Sequence, residues 1–272
     1  MNPTGTRLAR VQVAGQAGID RVYADLADAV EAEVWRWSTR DADGGDALPM
    51  SARAAILAAV ALLLDRTRPA LITAVLAART AARGAALAGQ SPLPVDVAEE
   101  AAARIEVART IGGAQPGVLR QLGAVLATGI GAGLAAGEIA KRARQYFAPW
   151  FAPRRNVAGQ VTRAGRQGAI ATWPGRAGYA SQHVRLVMLY QSAESHDAAI
   201  RGTAERAGAA MRWNLSAAHA GVDVCDGHAR RDSGLGPGVY WPRDYPPRPH
   251  PGCRCYASLA AVPVSALAGR TP

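Results

Sequence analysis

Residues 245–256 read "YPPRPHPGCRCY", and around this stretch the chain changes character. Upstream, alanine-rich segments carry helical periodicity between short breaks. From about residue 212 onward Gly, Pro, Asp, Arg, His and Cys dominate and that periodicity fades. The fold class this predicts is mainly α: helical N-terminal and central regions, then a small irregular α+β Cys/His-rich C-terminal module. A module so poor in aliphatic side chains needs a staple such as a metal ion. Pro246, Pro247, Pro249 and Pro251 hold their segment extended and restrict its unfolded freedom. Cys253 and Cys255 follow at once.

All three cysteines, Cys225, Cys253 and Cys255, fall within 31 consecutive residues, with His219, His228 and His250 in or beside that window. A structural tetrahedral site draws four N or S ligands, commonly as close-spaced pairs from two turns. Cys225 with His228 forms one such pair; His250 with Cys253, or Cys253 with Cys255, forms another. In extended backbone residues i and i+2 point to one side, so Cys253 and Cys255 can face one centre. Six donors compete for four places. Two other readings stand beside metal: reduced thiols packed in a turn, or a disulfide from Cys225 to Cys253 or Cys255. Catalytic signatures are missing. There is no H-x-E with P-C-x-x-C and no H-E-x-x-H. Asp223, Asp226, Asp232 and Asp244 read as turn formers and caps rather than an acid/base pair.

Working back from this module, Val22, Leu26, Val30 and Val34 recur every four residues and predict a helix from Ile19 to Trp37, after a loose N-terminus. Ser51 caps a predicted helix to about Asp65, and Pro69 opens the next. "SPLP" (91–94) and "GGAQPG" (112–117) bracket a further helix over about 96–110. Helices are then expected over 115–134 and 136–147, and from about Gly178 to Met211. "GIGAGLAAGE" (129–138) lacks a preceding strand and a Gly-Lys-Ser/Thr, so it reads as a close-packed helix turn, not a phosphate loop. The segments are therefore 1–110, an alanine-rich helical region; 111–211, a basic helical region; and 212–272, the Cys/His module and tail.

Charge is divided as sharply as composition. Residues 1–110 carry a net −1 and residues 111–272 a net +11. No acidic residue lies between Glu138 and Glu194. Lys141, Arg142, Arg144, Arg154, Arg155, Arg163 and Arg166 there form the candidate contact surface for nucleic acid or an acidic partner. The longest apolar run, residues 54–64, is too short to span a bilayer, so no membrane is expected as a partner. No secretory signal is visible, and an odd number of cysteines argues against a secreted disulfide scaffold. Synthesis in a reducing cytoplasm is expected.

Residues 212–259 resemble the C-terminal module of phage minor head proteins, the phage Mu protein F-like head-morphogenesis family. The resemblance rests on "WNLSAAH" (Trp213 to His219), "DVCD" (Asp223 to Asp226), "GPGVY" (Gly236 to Tyr240) and "PPRPHPGCRC" (Pro246 to Cys255). A weaker likeness runs back through "GLAAGEIAKRARQYF" (133–147) to about residue 115. It implies a non-enzymatic virion protein at the portal vertex or capsid interior, partnering the portal or major capsid protein. It also implies help in head assembly and DNA packaging, with nonspecific contact to double-stranded DNA. The family pattern points to a structural zinc site drawing four ligands from His219, Cys225, His250, Cys253 and Cys255, with His228 matching less well. The rival reading is a metal-dependent, nuclease-like DNA-processing enzyme using the same basic surface and cluster.

Overall fold

A computed structural model describes residues 3–40, 45–89, 94, 96–147, 179–216, 219, 222–249 and 253–262. Of the predicted functional residues, His250, Arg154, Arg155, Arg163 and Arg166 lie outside these. The chain is mainly helical with a small stranded C-terminal module, as its sequence predicts. The elements run α1 (Pro3–Arg36), β1 (Thr39–Arg40), β2 (Asp46–Ala47), α2 (Ala52–Ala86), α3 (Val97–Gly131), α4 (Ala136–Phe147), α5 (Tyr179–Ala207), β3 (Ala210–Asn214), α6 (Val224–Arg230), β4 (Val239–Tyr240), a 3-10 turn (Pro242–Asp244) and β5 (Tyr256–Ala260).

Three expected breaks are absent. The N-terminus is helical from Pro3, Pro69 sits inside α2, and Pro116 sits inside α3. An internal proline costs a helix about 3 kcal/mol. In α2 the buried residues Ile56, Val60, Leu64, Leu71, Val75, Ala78 and Ala82 keep one apolar stripe on both sides of Pro69. Each large buried side chain contributes about 1.5–3 kcal/mol, so the continuous stripe outweighs the local penalty. Val107, Ile111, Val118 and Leu122 do the same across Pro116. Asp96 caps α3 by accepting from the Ala98 and Glu99 amides.

Contacts divide the chain into two compact units that are discontinuous in sequence. One comprises residues 1–16, 74–104 and 186–272, the other 17–73 and 105–185. These cut across the compositional segments at residues 110 and 211, because helices 34–35 residues long contribute to more than one core. Within the second unit Ile19, Leu26, Ile56, Leu122, Leu126, Ile139 and Phe147 are fully buried. Gly129 lets Ile139 of α4 approach α3, and Gly137 carries the Trp35 ring.

The first unit positions the candidate site. A Schellman turn ends α5: Gly208 adopts φ +59 and the Ala209 amide donates to Ala204. The chain passes directly into β3, the centre of an antiparallel sheet of order β4-β3-β5. Trp213 pairs with Ala257, and Met211 with both Tyr240 and Leu259. Behind the sheet, Ala199, Ile200 and Ala204 of α5 join Met211, Trp213, Tyr240, Tyr245 and the three cysteines in one core.

A buried ion pair locks this module to α5. Arg248, from the proline-rich segment, donates from Nη2 to Asp197 Oδ2 (2.7 Å) and to the Ala193 carbonyl (3.3 Å). Its Nη1 donates to the carbonyls of Cys255 (2.7 Å) and Cys253 (3.4 Å). Asp197 Oδ1 accepts from the Ala257 amide of β5 (3.0 Å). Burial raises the Asp197 carboxyl pKa, but Arg248, His196 and the Ala257 amide overcome that and leave it below the ordinary value. Its stabilisation is therefore complete above the unfolded carboxyl value of about 3.9 and is lost as pH falls through the lower folded value. Arg248→Ala strands a buried carboxylate and should cost about 3–5 kcal/mol, read as a lowered urea midpoint at neutral pH. The deficit should shrink as the pH falls below about 4 towards the lower folded value, because the parent then loses the stabilisation of the Asp197 carboxylate.

Candidate metal centre

The centre is built from three short pieces of the C-terminal module. His219 follows β3, and its amide donates to the Ser216 carbonyl (2.9 Å). Cys225 lies in the first turn of α6. Asp223 is the N-cap and accepts from the Cys225 amide (2.7 Å), while Asp226 accepts from the Asp223 amide (3.0 Å), a reciprocal capping box. Cys253 and Cys255 precede β5 on the backbone that Arg248 holds. Sequence "D-V-C-D" thus sets the orientation of one thiol through its two aspartates.

These pieces converge. Cys225 Sγ lies 3.5 Å from Cys253 Sγ, and Cys255 Sγ lies 4.0 Å from His219 Nδ1. The donor atoms of His219, Cys225 and Cys255 all lie within 4.8 Å of one another, at metal-binding separation. Cys253 and Cys255 are themselves hydrogen-bonded through their side chains. A tetrahedral ion with sulfur ligands at about 2.3 Å has S–S edges of about 3.8 Å, close to the 3.5 Å between Cys225 and Cys253. All three cysteines are buried thiols.

Protons are shared unequally among the sulfurs. Hydrogen bonding from Cys255 pulls Cys253 down to about 5. Burial pushes Cys225 up to about 12, and the hydrogen bond to Cys253 raises Cys255 further. One sulfur thus ionises readily and its neighbours stay protonated, as expected where like charges crowd one buried place. A divalent cation reverses this, because its charge favours all three thiolates.

His219 is aimed from behind. Its Nε2 lies 2.8 Å from Asp226 Oδ2. That contact raises the imidazole pKa and lowers the carboxyl. With the Nε2 proton held by Asp226, the neutral ring presents the Nδ1 lone pair to the sulfurs. Asp223 lies further from Nε2, at 3.8 Å, and serves the cap. Asp226, expected as a turn former or cap, is therefore both a cap and the partner of a candidate ligand.

Three of the predicted donors, His219, Cys225 and Cys255, lie within 4.8 Å of one another, and Cys253 adjoins them through Cys225 and Cys255. His228 stands apart: its ring lies on Trp213 (centroids 4.9 Å) and its carbonyl accepts from Tyr240 Oη (2.5 Å). Of the predicted basic surface, Lys141 is exposed. Arg142 pairs with Glu138 (2.8 Å), and Arg144 with Asp28 (2.8 Å) and Glu31 (3.0 Å). Sequence reasoning missed Arg248 and Asp197, for which the only cue was a lone arginine set among prolines. Among the described residues no helix is long and apolar enough to cross a membrane.

Asp226→Asn should weaken binding of a thiophilic divalent ion about 10–100-fold, measured by competition with a chromogenic chelator. His228→Ala should leave that affinity within about twofold, because its ring faces Trp213 rather than the sulfurs.

No family model, curated protein or solved structure matches this chain.

Proposed function

We propose that this chain is a phage or prophage minor head protein whose C-terminal module is stapled by one structural zinc ion on His219, Cys225, Cys253 and Cys255. The observation that carries the reading is the convergence of His219, Cys225 and Cys255, with Cys253 Sγ against Cys225 Sγ, at positions the family resemblance assigns to metal. Three thiolates and an imidazole are a usual structural zinc set, and four protein ligands leave no open position for substrate. That closure favours a staple over a DNA-processing enzyme. When bound, zinc supplies the bonds that tie the α6 turn to the segment before β5, where aliphatic burial is sparse.

In this reading the protein acts at the portal vertex or capsid interior and assists head assembly and DNA packaging. Nonspecific duplex contact falls to Lys141 and to Arg154, Arg155, Arg163 and Arg166, since Arg142 and Arg144 are engaged by carboxylates. Phosphate contacts of this kind are salt-dependent and sequence-independent.

Freshly purified, reduced protein should contain about one zinc per chain by elemental analysis. Stripping it with a strong chelator should open residues 219–258 to protease while α1, α2 and α3 stay resistant. A metal-free preparation, or an unchanged cleavage pattern, defeats the staple. The virion role is tested by sedimenting the chain with portal rings and with capsids from the same genome. Comigration with either supports it, and migration alone in both mixtures defeats it.

A further inference from the structure

We infer that Cys225 and Cys253 are a latent disulfide pair: when the centre meets hydrogen peroxide these two sulfurs join, and Cys255 is left as a thiol. The inference rests on the zinc reading only for the starting ligand set, since the sulfur contact is present without an ion. Three pairings are open to three thiols, and the geometry separates them. Cys225 and Cys253 are in sulfur–sulfur contact at 3.5 Å and come from segments 28 residues apart. Cys253 and Cys255 are two residues apart, and Arg248 holds the carbonyls of both. An extended i, i+2 pair has Cα atoms about 6.4–6.8 Å apart, at the far edge of what a disulfide spans. Cys255 Sγ is hydrogen-bonded to Cys253 as well, but it also faces His219 Nδ1 at 4.0 Å.

The burial of the sulfurs selects the oxidant. Each cysteine is at most 2% exposed, which disfavours a bulky disulfide oxidant relative to one as small as hydrogen peroxide. The Cys253 thiolate attacks one peroxide oxygen. The O–O bond breaks, hydroxide leaves, and a sulfenic acid forms. Cys225 sulfur then attacks the sulfenic sulfur. The S–S bond forms, the S–O bond breaks, and the oxygen departs as water with the Cys225 proton. The hydroxide takes up the proton lost when Cys253 ionised; in the zinc-loaded form, where both sulfurs are already thiolates, solvent supplies the two protons. Two thiols and one peroxide thus become one disulfide and two waters. Zinc, if present, leaves unchanged as Zn2+. The same two segments stay tied, so the module exchanges one staple for another in an oxidising medium.

The test uses the full chain, reduced and then freed of reductant, in zinc-loaded and chelator-stripped forms. Each is treated with equimolar hydrogen peroxide, alkylated with iodoacetamide, digested and read by mass spectrometry. The inference expects a Cys225–Cys253 linked peptide as the main product, with alkylated Cys255. The linked form should release its zinc, measured with a chromogenic chelator. A main Cys253–Cys255 or Cys225–Cys255 link overturns it, as does sulfinic acid without any link. Cys255→Ser should keep the link and Cys225→Ser should abolish it. Zinc content is measured on the same samples. A Cys225–Cys253 link in protein that never binds zinc would defeat the zinc reading and leave this inference standing. A zinc-loaded protein giving another link would do the reverse.

Discussion

The Arg248–Asp197 pair is the contact on which the C-terminal module depends. One guanidinium reaches α5 through Asp197 and Ala193, and the cysteine segment through two carbonyls. One carboxylate holds that guanidinium and the Ala257 amide of β5. Two buried charges are expensive to desolvate, and removing either leaves the other uncompensated. The pair therefore fixes where the strand lies on the helix rather than adding a large net stabilisation. It also places an acceptor against a β5 amide, so that this amide of an edge strand is paired within the chain.

The sulfur centre is built on that frame. Arg248 fixes the backbone of Cys253 and Cys255, and the Asp223–Asp226 capping box fixes the turn carrying Cys225. Asp226 then serves twice, closing the cap and orienting His219. Neighbours that lock ligands in place are what turn a set of donors into a site. The same compactness brings Cys225 and Cys253 into contact, so the arrangement suited to holding an ion is also poised for a disulfide.

The long helices teach a different lesson. Proline and glycine in "RTRPAL" and "GGAQPG" signal chain breaks by local rules, yet α2 and α3 run through them. Local penalties are about 3 kcal/mol each, and the apolar stripes on either side remain in phase. Reading the stripe across the proline, rather than stopping at it, recovers one helix. The units defined by contact are discontinuous for the same reason, since a helix of 35 residues outruns the core of any one compositional segment.

The sequence by itself determined the helical class, the position of the irregular module and the confinement of all three cysteines to it. These follow from composition and short-range periodicity, which need no knowledge of distant neighbours. It narrowed the donors to a handful without choosing among them. Only the tertiary structure turned His228 toward Trp213 and His219 toward the sulfurs, because ring orientation is set by packing partners 15 and 36 residues away. Only it joined Arg248 to Asp197, 51 residues apart, since nothing local marks a buried charge for its partner. Spacing records which donors are available, and packing and desolvation decide which of them meet.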